Sequence, residues 1–215
     1  MDVIEPVGQL SKVKEGLIRH IEQKTRGDRN MTARLRKVTE HDLEQIMLWR
    51  MSEEVTKYMY TDPVLTLEDQ RNWFKKINEN IHVEKYWIIE LEDGTPVGLM
   101  SVNHIDKRNH QASWAYYLGS VEARGKGLGR ILECNMYDYA FDTLGLHKLW
   151  CEVFQFNENV IGMHQKFGSK IEGTFIDHIY KNGEYHNVVR MGILSHEWVE
   201  RKPLTPYEKI TIEIQ

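Results

Sequence analysis

The residues best equipped for chemistry form one run, Ala123-Arg124-Gly125-Lys126-Gly127-Leu128-Gly129-Arg130. Glycines let a backbone approach an anion closely. The unpaired N–H groups of a helix's first turn point at such an anion, and the helix dipole adds to the attraction. Arg124, Lys126 and Arg130 bring positive charge. The chemistry this suits is phosphate binding. The order of residues is neither the G-x-x-x-x-G-K-[ST] loop of nucleotide hydrolases nor G-x-G-x-x-G with a later acidic residue. Taken alone, the glycine spacing is equally that of a flexible turn.

The flanking elements decide what that run can do. Residues 112–118 read as a strand, and Leu128, Ile131, Leu132, Met136, Tyr139 and Ala140 recur at helical spacing. Strand, glycine turn and helix start therefore follow one another. Residues 147–154 alternate like a half-buried strand, Asn157 offers a helix N-cap, and the helix over 160–167 stops at Gly168. Strands over 174–180 and 185–194 flank the hairpin turn Lys181-Asn182-Gly183-Glu184. Upstream, a strand over 33–38 precedes a helix opened by Thr39, with Leu43, Ile46, Met47 and Trp49 on its apolar stripe. Thr66 caps a second helix whose buried side is Trp73, Phe74 and Ile77. Strands over 86–91 and 97–105 surround an Asp93-Gly94 turn. The order β-α-α-β-β-β-α-β-α-β-β predicts an α/β fold, a mixed and mostly antiparallel sheet with helices on both faces.

At three places the chain resembles the GNAT superfamily of N-acetyltransferases. Residues 124–129 resemble its acetyl-CoA pyrophosphate loop, residues 157–168 its Asn-to-Gly helix, and residues 172–198 its final hairpin in one branch. That branch holds ribosomal-protein, spermidine and amino-sugar acetyltransferases. The resemblance runs from about Thr32 to Trp198 and implies acetyl-CoA as co-substrate, with no metal. It implies a central pair of strands that splay apart. Backbone groups at Tyr117 and Leu118 would then polarise the thioester, and Arg124, Gly125, Lys126, Gly127, Leu128, Gly129 and Arg130 would hold the pyrophosphate. Asn157 and Lys166 join the cofactor-binding set by the same match. Where the family usually has a tyrosine proton donor this chain has His164, two helical turns from Asn157 and on the same face. Where relatives often have a glutamate base it has Ser113, which needs help to remove a proton; His104 is the nearest candidate base.

Trp49-Arg50, residues 55–62 and Trp73 most resemble acetyltransferases of pseudaminic-acid biosynthesis, which acetylate an amine of a UDP-linked amino-deoxy-sugar. Met59, Tyr60 and Trp73 are the expected acceptor contacts, and Arg50 or Lys57 the partners of a diphosphate. Trp49 and Trp73 fit their helices' core stripes equally well. The alternatives are a protein N-terminus, a polyamine held by Glu53, Glu54 and Asp62, or a module that binds acetyl-CoA without catalysis.

At 215 residues and a net charge of −4, the chain lacks the basic excess of a nucleic-acid binder. The two cysteines, Cys134 and Cys151, fall in apolar elements and are expected as buried thiols. Without a signal-like start or an apolar run of membrane length, a cytoplasmic enzyme is expected, as monomer or homodimer. Three segments are expected: an amphipathic helix and linker over 1–30, the catalytic domain over 31–198, and a tail over 199–215. Residues 209–214 of the tail alternate like an edge strand.

Overall fold

The computed structural model describes residues 32–215, so the helix expected over 1–30 lies outside the described residues. The elements are β1 (Ala33–Lys37), α1 (Leu43–Met51), α2 (Leu67–Glu79), β2 (Lys85–Leu91), β3 (Pro96–Asp106), β4 (Gln111–Leu118), α3 (Leu128–Asp138), β5 (Lys148–Phe154), α4 (Glu158–Phe167), β6 (Lys170–Lys181), β7 (Glu184–Leu194) and α5 (Ser195–Arg201). A short helical turn, Glu53–Thr56, follows α1. One sheet runs β1-β2-β3-β4-β5-β7-β6. The fold is therefore the expected mixed, mostly antiparallel α/β arrangement.

Local chemistry sets the boundaries. The Thr66 hydroxyl accepts from the Asp69 N–H at 3.2 Å, and the Asp69 carboxylate accepts from the Thr66 N–H at 2.8 Å. This reciprocal cap fixes the first turn of α2. Asn182 and Gly183 both take positive φ, 53° and 84°, and close a two-residue turn between β6 and β7. Trp87, Ile88 and Ile89 are all fully buried, as an interior strand covered on both faces requires. Each such side chain contributes about 1.5–3 kcal/mol by its burial.

Alternation along β4 shows how the helices are arranged. Trp114 meets Tyr137 of α3 edge-on, whereas Tyr117 meets Trp49 of α1. Residues three apart on a strand point to opposite faces, so α1 and α3 cover opposite sides of the sheet.

The centre of the sheet is its weak seam. β4 and β5 are the parallel neighbours, and they pair only over Gln111–Ser113 with Lys148–Trp150. Both strands continue, to Leu118 and to Phe154, without pairing to each other. Backbone N–H and C=O groups on the facing edges are left for something else to meet.

The tail makes less strand and more contact than its pattern predicts. Ile212 forms a single parallel bridge to Leu35 of β1. Side chains of the domain hold the rest: Asn135 donates to the Glu208 carbonyl at 2.7 Å, and Trp87 donates to the Glu213 carbonyl at 2.8 Å. Asp138 accepts from the Trp198 indole at 2.9 Å, pairs with Lys202 at 2.6 Å, and also binds Tyr207 and Lys209.

Candidate active site

The glycine run lies where β4 gives way to α3. Gly125 and Gly127 take φ of 72° and 83°, a region where a Cβ is strained, and Gly127 is the N-cap of α3. Gly129 sits close to its neighbours. A Cβ there would come within 2.7 Å of Met163 Sδ and 3.1 Å of the Tyr116 hydroxyl, so a larger residue would need the flexible Met163 side chain to shift. Arg124 serves the loop itself. Its guanidinium donates to the Leu118 carbonyl at 2.8 Å and pairs with Glu54 at 2.9 Å. Its charge is thus already matched, leaving Lys126 and Arg130 as the loop's remaining cations.

Beyond the seam, the loop, the two parting strands and α4 enclose a cleft of about 1000 Å³. Of the residues expected at the cofactor, Tyr117, Leu118, Arg124, Gly125, Gly127, Leu128, Gly129, Arg130, Asn157 and Lys166 line it. Lys126 is exposed on the loop. Asn157 caps α4 through its backbone carbonyl, which accepts from Val160 at 3.1 Å; its side chain makes no cap bond. Open backbone at a helix start, beside an elongated cleft flanked by unpaired strand edges, fits a diphosphate joined to a flexible amide arm.

His164 lines the cleft and is 4% exposed. Its Nδ1 lies 2.9 Å from Glu133 Oε1, which also accepts from Tyr137; Tyr137 in turn lies 2.9 Å from Ser169 Oγ. Burial opposes charge on the imidazole, but the neighbouring Cys151 sulfur and the Glu133 carboxylate outweigh it and raise the pKa to about 10. Sequence reading missed Glu133. Its signal was an acidic residue inside the apolar run Ile131-Leu132-Glu133-Cys134, and it is fully buried.

The opposite face of the split carries a second row. His104 Nδ1 meets Ser113 Oγ at 2.9 Å, and Ser113 Oγ donates to the Asn103 carbonyl at 3.2 Å. With its proton so used, Ser113 accepts from Nδ1–H, which leaves His104 Nε2 as the free acceptor. His104 stacks on Trp150 at 6.1 Å, and the Arg190 guanidinium lies 3.6 Å from the Trp150 ring centroid. Arg190 pairs with Glu152 at 3.3 Å, and Glu152 accepts from the Tyr60 hydroxyl at 3.0 Å. Met59 and Glu152 line the cleft; Tyr60, His104 and Ser113 are not among its lining residues, Tyr60 being joined to it through Glu152. Trp73 is elsewhere. It packs edge-on against Tyr86 at 5.2 Å, in the cluster of Ile46, Trp49, Ile88 and Leu99. The helical stripe governs its place, and it does not reach the acceptor side of the cleft.

A family model described as an acetyltransferase (GNAT) domain matches residues 33–170. Spermidine N(1)-acetyltransferase of Escherichia coli (strain K12) is 28% identical over 170 residues, covering 78% of this chain and 89% of that enzyme. Acetyltransferase PseH of Campylobacter jejuni is 24% identical over 125 residues, 58% of this chain and 74% of that one. The crystal structure of spermidine N-acetyltransferase from Vibrio cholerae in complex with CoA and spermine superposes with a TM-score of 0.73 at 24% identity. It covers 78% of this chain and 98% of its own. Among the described residues no helix is long and apolar enough to cross a membrane. A glycine loop at a helix start, a sheet parted at its parallel seam and this family match agree: the chain belongs to the GNAT acetyltransferases and is an acetyl-CoA-dependent N-acetyltransferase.

Proposed function

We propose that the acetylated group is a primary amine on a nucleotide-linked amino-deoxy-sugar. The observation that carries this is how the available carboxylates are used. Glu54 pairs with Lys57 at 3.2 Å and Arg124 at 2.9 Å, Asp62 with Lys181 at 2.9 Å, and Glu152 with Arg190 at 3.3 Å. A polycation needs carboxylates whose charge is unmatched; these three already face a cation of the protein, and of the carboxylates expected for a polyamine Glu53 alone makes no ion pair among the described residues. Arg50 is the converse case. Among the described residues its Nη1 is buried without a partner, and its Nη2 makes a 3.3 Å bond to Thr61. An unpaired guanidinium nitrogen suits a phosphate oxygen that reaches it, although Arg50 is not among the residues that line the cleft. The resemblance of residues 49–62 to amino-sugar enzymes supports the same class. The second reading is a polyamine acceptor, which the spermidine acetyltransferase relatives favour.

Four tasks follow from the chemistry, and the residues divide them by face. The N–H groups from Gly125 to Arg130 anchor the pyrophosphate. Unpaired backbone N–H on β4 beyond Ser113 polarises the thioester carbonyl, which acetyl-CoA supplies when bound. His164, held as an imidazolium, gives a proton to the departing thiolate. His104 Nε2 takes the proton of the incoming ammonium, with Ser113 fixing its tautomer. Met59 and Tyr60 hold the acceptor, Tyr60 being fixed through Glu152.

The test is acetyl-CoA turnover against UDP-amino-deoxy-sugars, spermidine, spermine and N-terminal peptides side by side. Turnover of the sugar nucleotide at a kcat/KM at least ~10-fold above the polyamines is expected, a preference of about 1.4 kcal/mol. A preference for spermidine replaces the sugar with the polyamine.

A further inference from the structure

Lysine is almost never buried unless its charge is met, and Lys181 is only 8% exposed. It is the last β6 residue before the Asn182-Gly183 turn and pairs there with Glu184 of β7. An ammonium has three hydrogens to donate, and here each has an acceptor: the Thr56 carbonyl at 2.5 Å, the Met59 carbonyl at 2.8 Å and Asp62 Oδ1 at 2.9 Å. All three acceptors belong to one segment. It begins at the helical turn Glu53–Thr56, and from Lys57 to Thr66 it contains no helix or strand. Taking an ammonium out of water is costly, and an apolar side chain would join hairpin and loop more cheaply. What the ammonium adds is direction, because it fixes where two backbone carbonyls point. Those carbonyls lie on the acceptor side. The Thr56 carbonyl also accepts from the Met59 N–H at 2.8 Å, which closes the turn that carries Tyr58 and Met59. Val55, Tyr58 and Met59 line the cleft, and Tyr60 donates to Glu152 at 3.0 Å and meets Phe154 edge-on at 5.3 Å.

We propose that Lys181 is a positioning residue that sets the specificity of the acceptor pocket: from the end of the β6–β7 hairpin it clamps the 56–62 loop, so that Tyr58, Met59 and Tyr60 present one fixed surface to the molecule that carries the amine. The inference rests on the acceptor lying against Met59 and Tyr60, and it is independent of which amine is used. The hairpin is a firm base for such a clamp, since Lys181 and Glu184 form the last rung of its ladder. A preformed loop spends no binding energy on being ordered, and its fixed shape selects among acceptors by fit. A loop released from the ammonium binds each acceptor more weakly and tells them apart less well. The glycine loop meets this segment upstream of the clamped carbonyls, where Arg124 pairs with Glu54 at 2.9 Å. Releasing the clamp therefore falls on the amine and spares CoA.

Lys181→Met keeps the length of the side chain and removes its three bonds. Kinetics are read with the two amines that the parent turns over best, and calorimetry reads the Kd for CoA. The KM for both amines is expected to rise at least ~10-fold and the ratio of their kcat/KM values to fall by about threefold, with kcat within about threefold and the CoA Kd within about twofold of the parent. Lys181→Arg keeps the charge and the donors and should recover part of the lost KM. Amide exchange should quicken from Lys57 to Asp62 in Lys181→Met and stay unchanged along β5. Asp62→Asn alters the more exposed arm of the clamp, and it is read in its place if Lys181→Met does not fold; an amine KM about threefold above the parent is expected. An amine KM and acceptor preference that stay with the parent in folded Lys181→Met, or in Asp62→Asn where it stands in, overturn the proposal. A CoA Kd that rises in step with the amine KM overturns it as well, since Lys181 would then support the fold at large. Tyr60→Ala separates the two readings. If it too leaves the amine KM unmoved, the acceptor does not lie on this loop; if it raises the KM while Lys181→Met does not, the clamp alone is refuted.

Discussion

Glu133→Gln offers the sharpest test of how His164 is tuned. The amide keeps an acceptor for His164 Nδ1 and Tyr137 but removes the charge. Beside the imidazole stand Glu133, Cys151 and Trp114, with Tyr137 bonded to the same Glu133, and Glu133 is the carboxylate in contact, at 2.9 Å. Two unit charges about 4 Å apart interact by about 4 kcal/mol at an effective dielectric of 20. At ~1.4 kcal/mol per pKa unit, removing one charge lowers the imidazolium pKa by about three units. From about 10 in the parent, it falls to about 7 in the variant. Activity that needs protonated His164 is present below that pKa and lost as pH rises through it. In the parent the loss therefore falls near pH 10, and in the variant near pH 7. At about pH 8.5 the variant should retain ~1/30 of its low-pH kcat, while the parent is nearly full. CoA thiol release followed across pH at saturating substrates reads this, and an NMR titration of His164 reads the pKa itself. The stability link has the same sign: the parent's raised pKa stabilises the fold fully below about 6.5 and loses that contribution up to about 10. A folded variant whose kcat–pH profile overlays the parent's refutes the argument that Glu133 sets the charge on His164.

Gly127→Val forces a β-branched residue into a φ of 83°, with ~1–2 kcal/mol of strain that the loop relieves by moving. The calorimetric Kd for CoA should rise by at least ~10-fold, and an unchanged Kd in a folded variant contradicts the anion-loop role. Trp73→Ala should cost about 3 kcal/mol of stability by denaturant unfolding and leave both KM values unmoved, because the ring belongs to the Ile46, Trp49, Ile88 and Leu99 cluster. A raised KM for the amine with unchanged stability would return Trp73 to the substrate. Asp138→Ala should cost about 3 kcal/mol by leaving Trp198 and Lys202 without their shared acceptor. Burial raises the Asp138 carboxyl, but Lys202, Lys209, Tyr207 and Trp198 lower it further, so this stabilisation holds above about pH 4 and disappears on acidification in the parent alone.

Much of the fold was legible because local rules and tertiary packing agree in it. The Thr66 cap, the Asn182-Gly183 turn and the glycine loop each carry a backbone requirement that few residues meet. The cofactor side was legible for the same reason, since N–H groups at a helix start need no particular partner elsewhere. The acceptor side was not. Trp73 shows a helical stripe that suits core and pocket alike, and only packing decides between them. Glu133 and Glu152 acquire meaning from neighbours on other elements, at sequence distances of 31 and 92 residues to His164 and Tyr60. The spacing of residues along the chain does not encode such meetings. Arg124 is the opposite case: its place in the motif predicts a phosphate contact, whereas Leu118 and Glu54 already saturate it.

The brief pairing of β4 with β5 has a consequence for how the molecule comes apart. Between β1–β4 and β5–β7 the sheet is continuous only through Gln111–Ser113 and Lys148–Trp150. Unfolding need not be all-or-none across such a seam; each half is a candidate cooperative unit with its own opening free energy. A ligand lying in the split supplies the missing rungs and joins the two units into one. Amide exchange should then slow on both edges together when CoA is added, at Ala115 to Leu118 and at Glu152 to Phe154, and the melting transition should sharpen as well as rise. A pantetheine arm seated in this split would act as an interchangeable strand, and the enzyme would then be a more cooperative solid when it is at work than when it is idle.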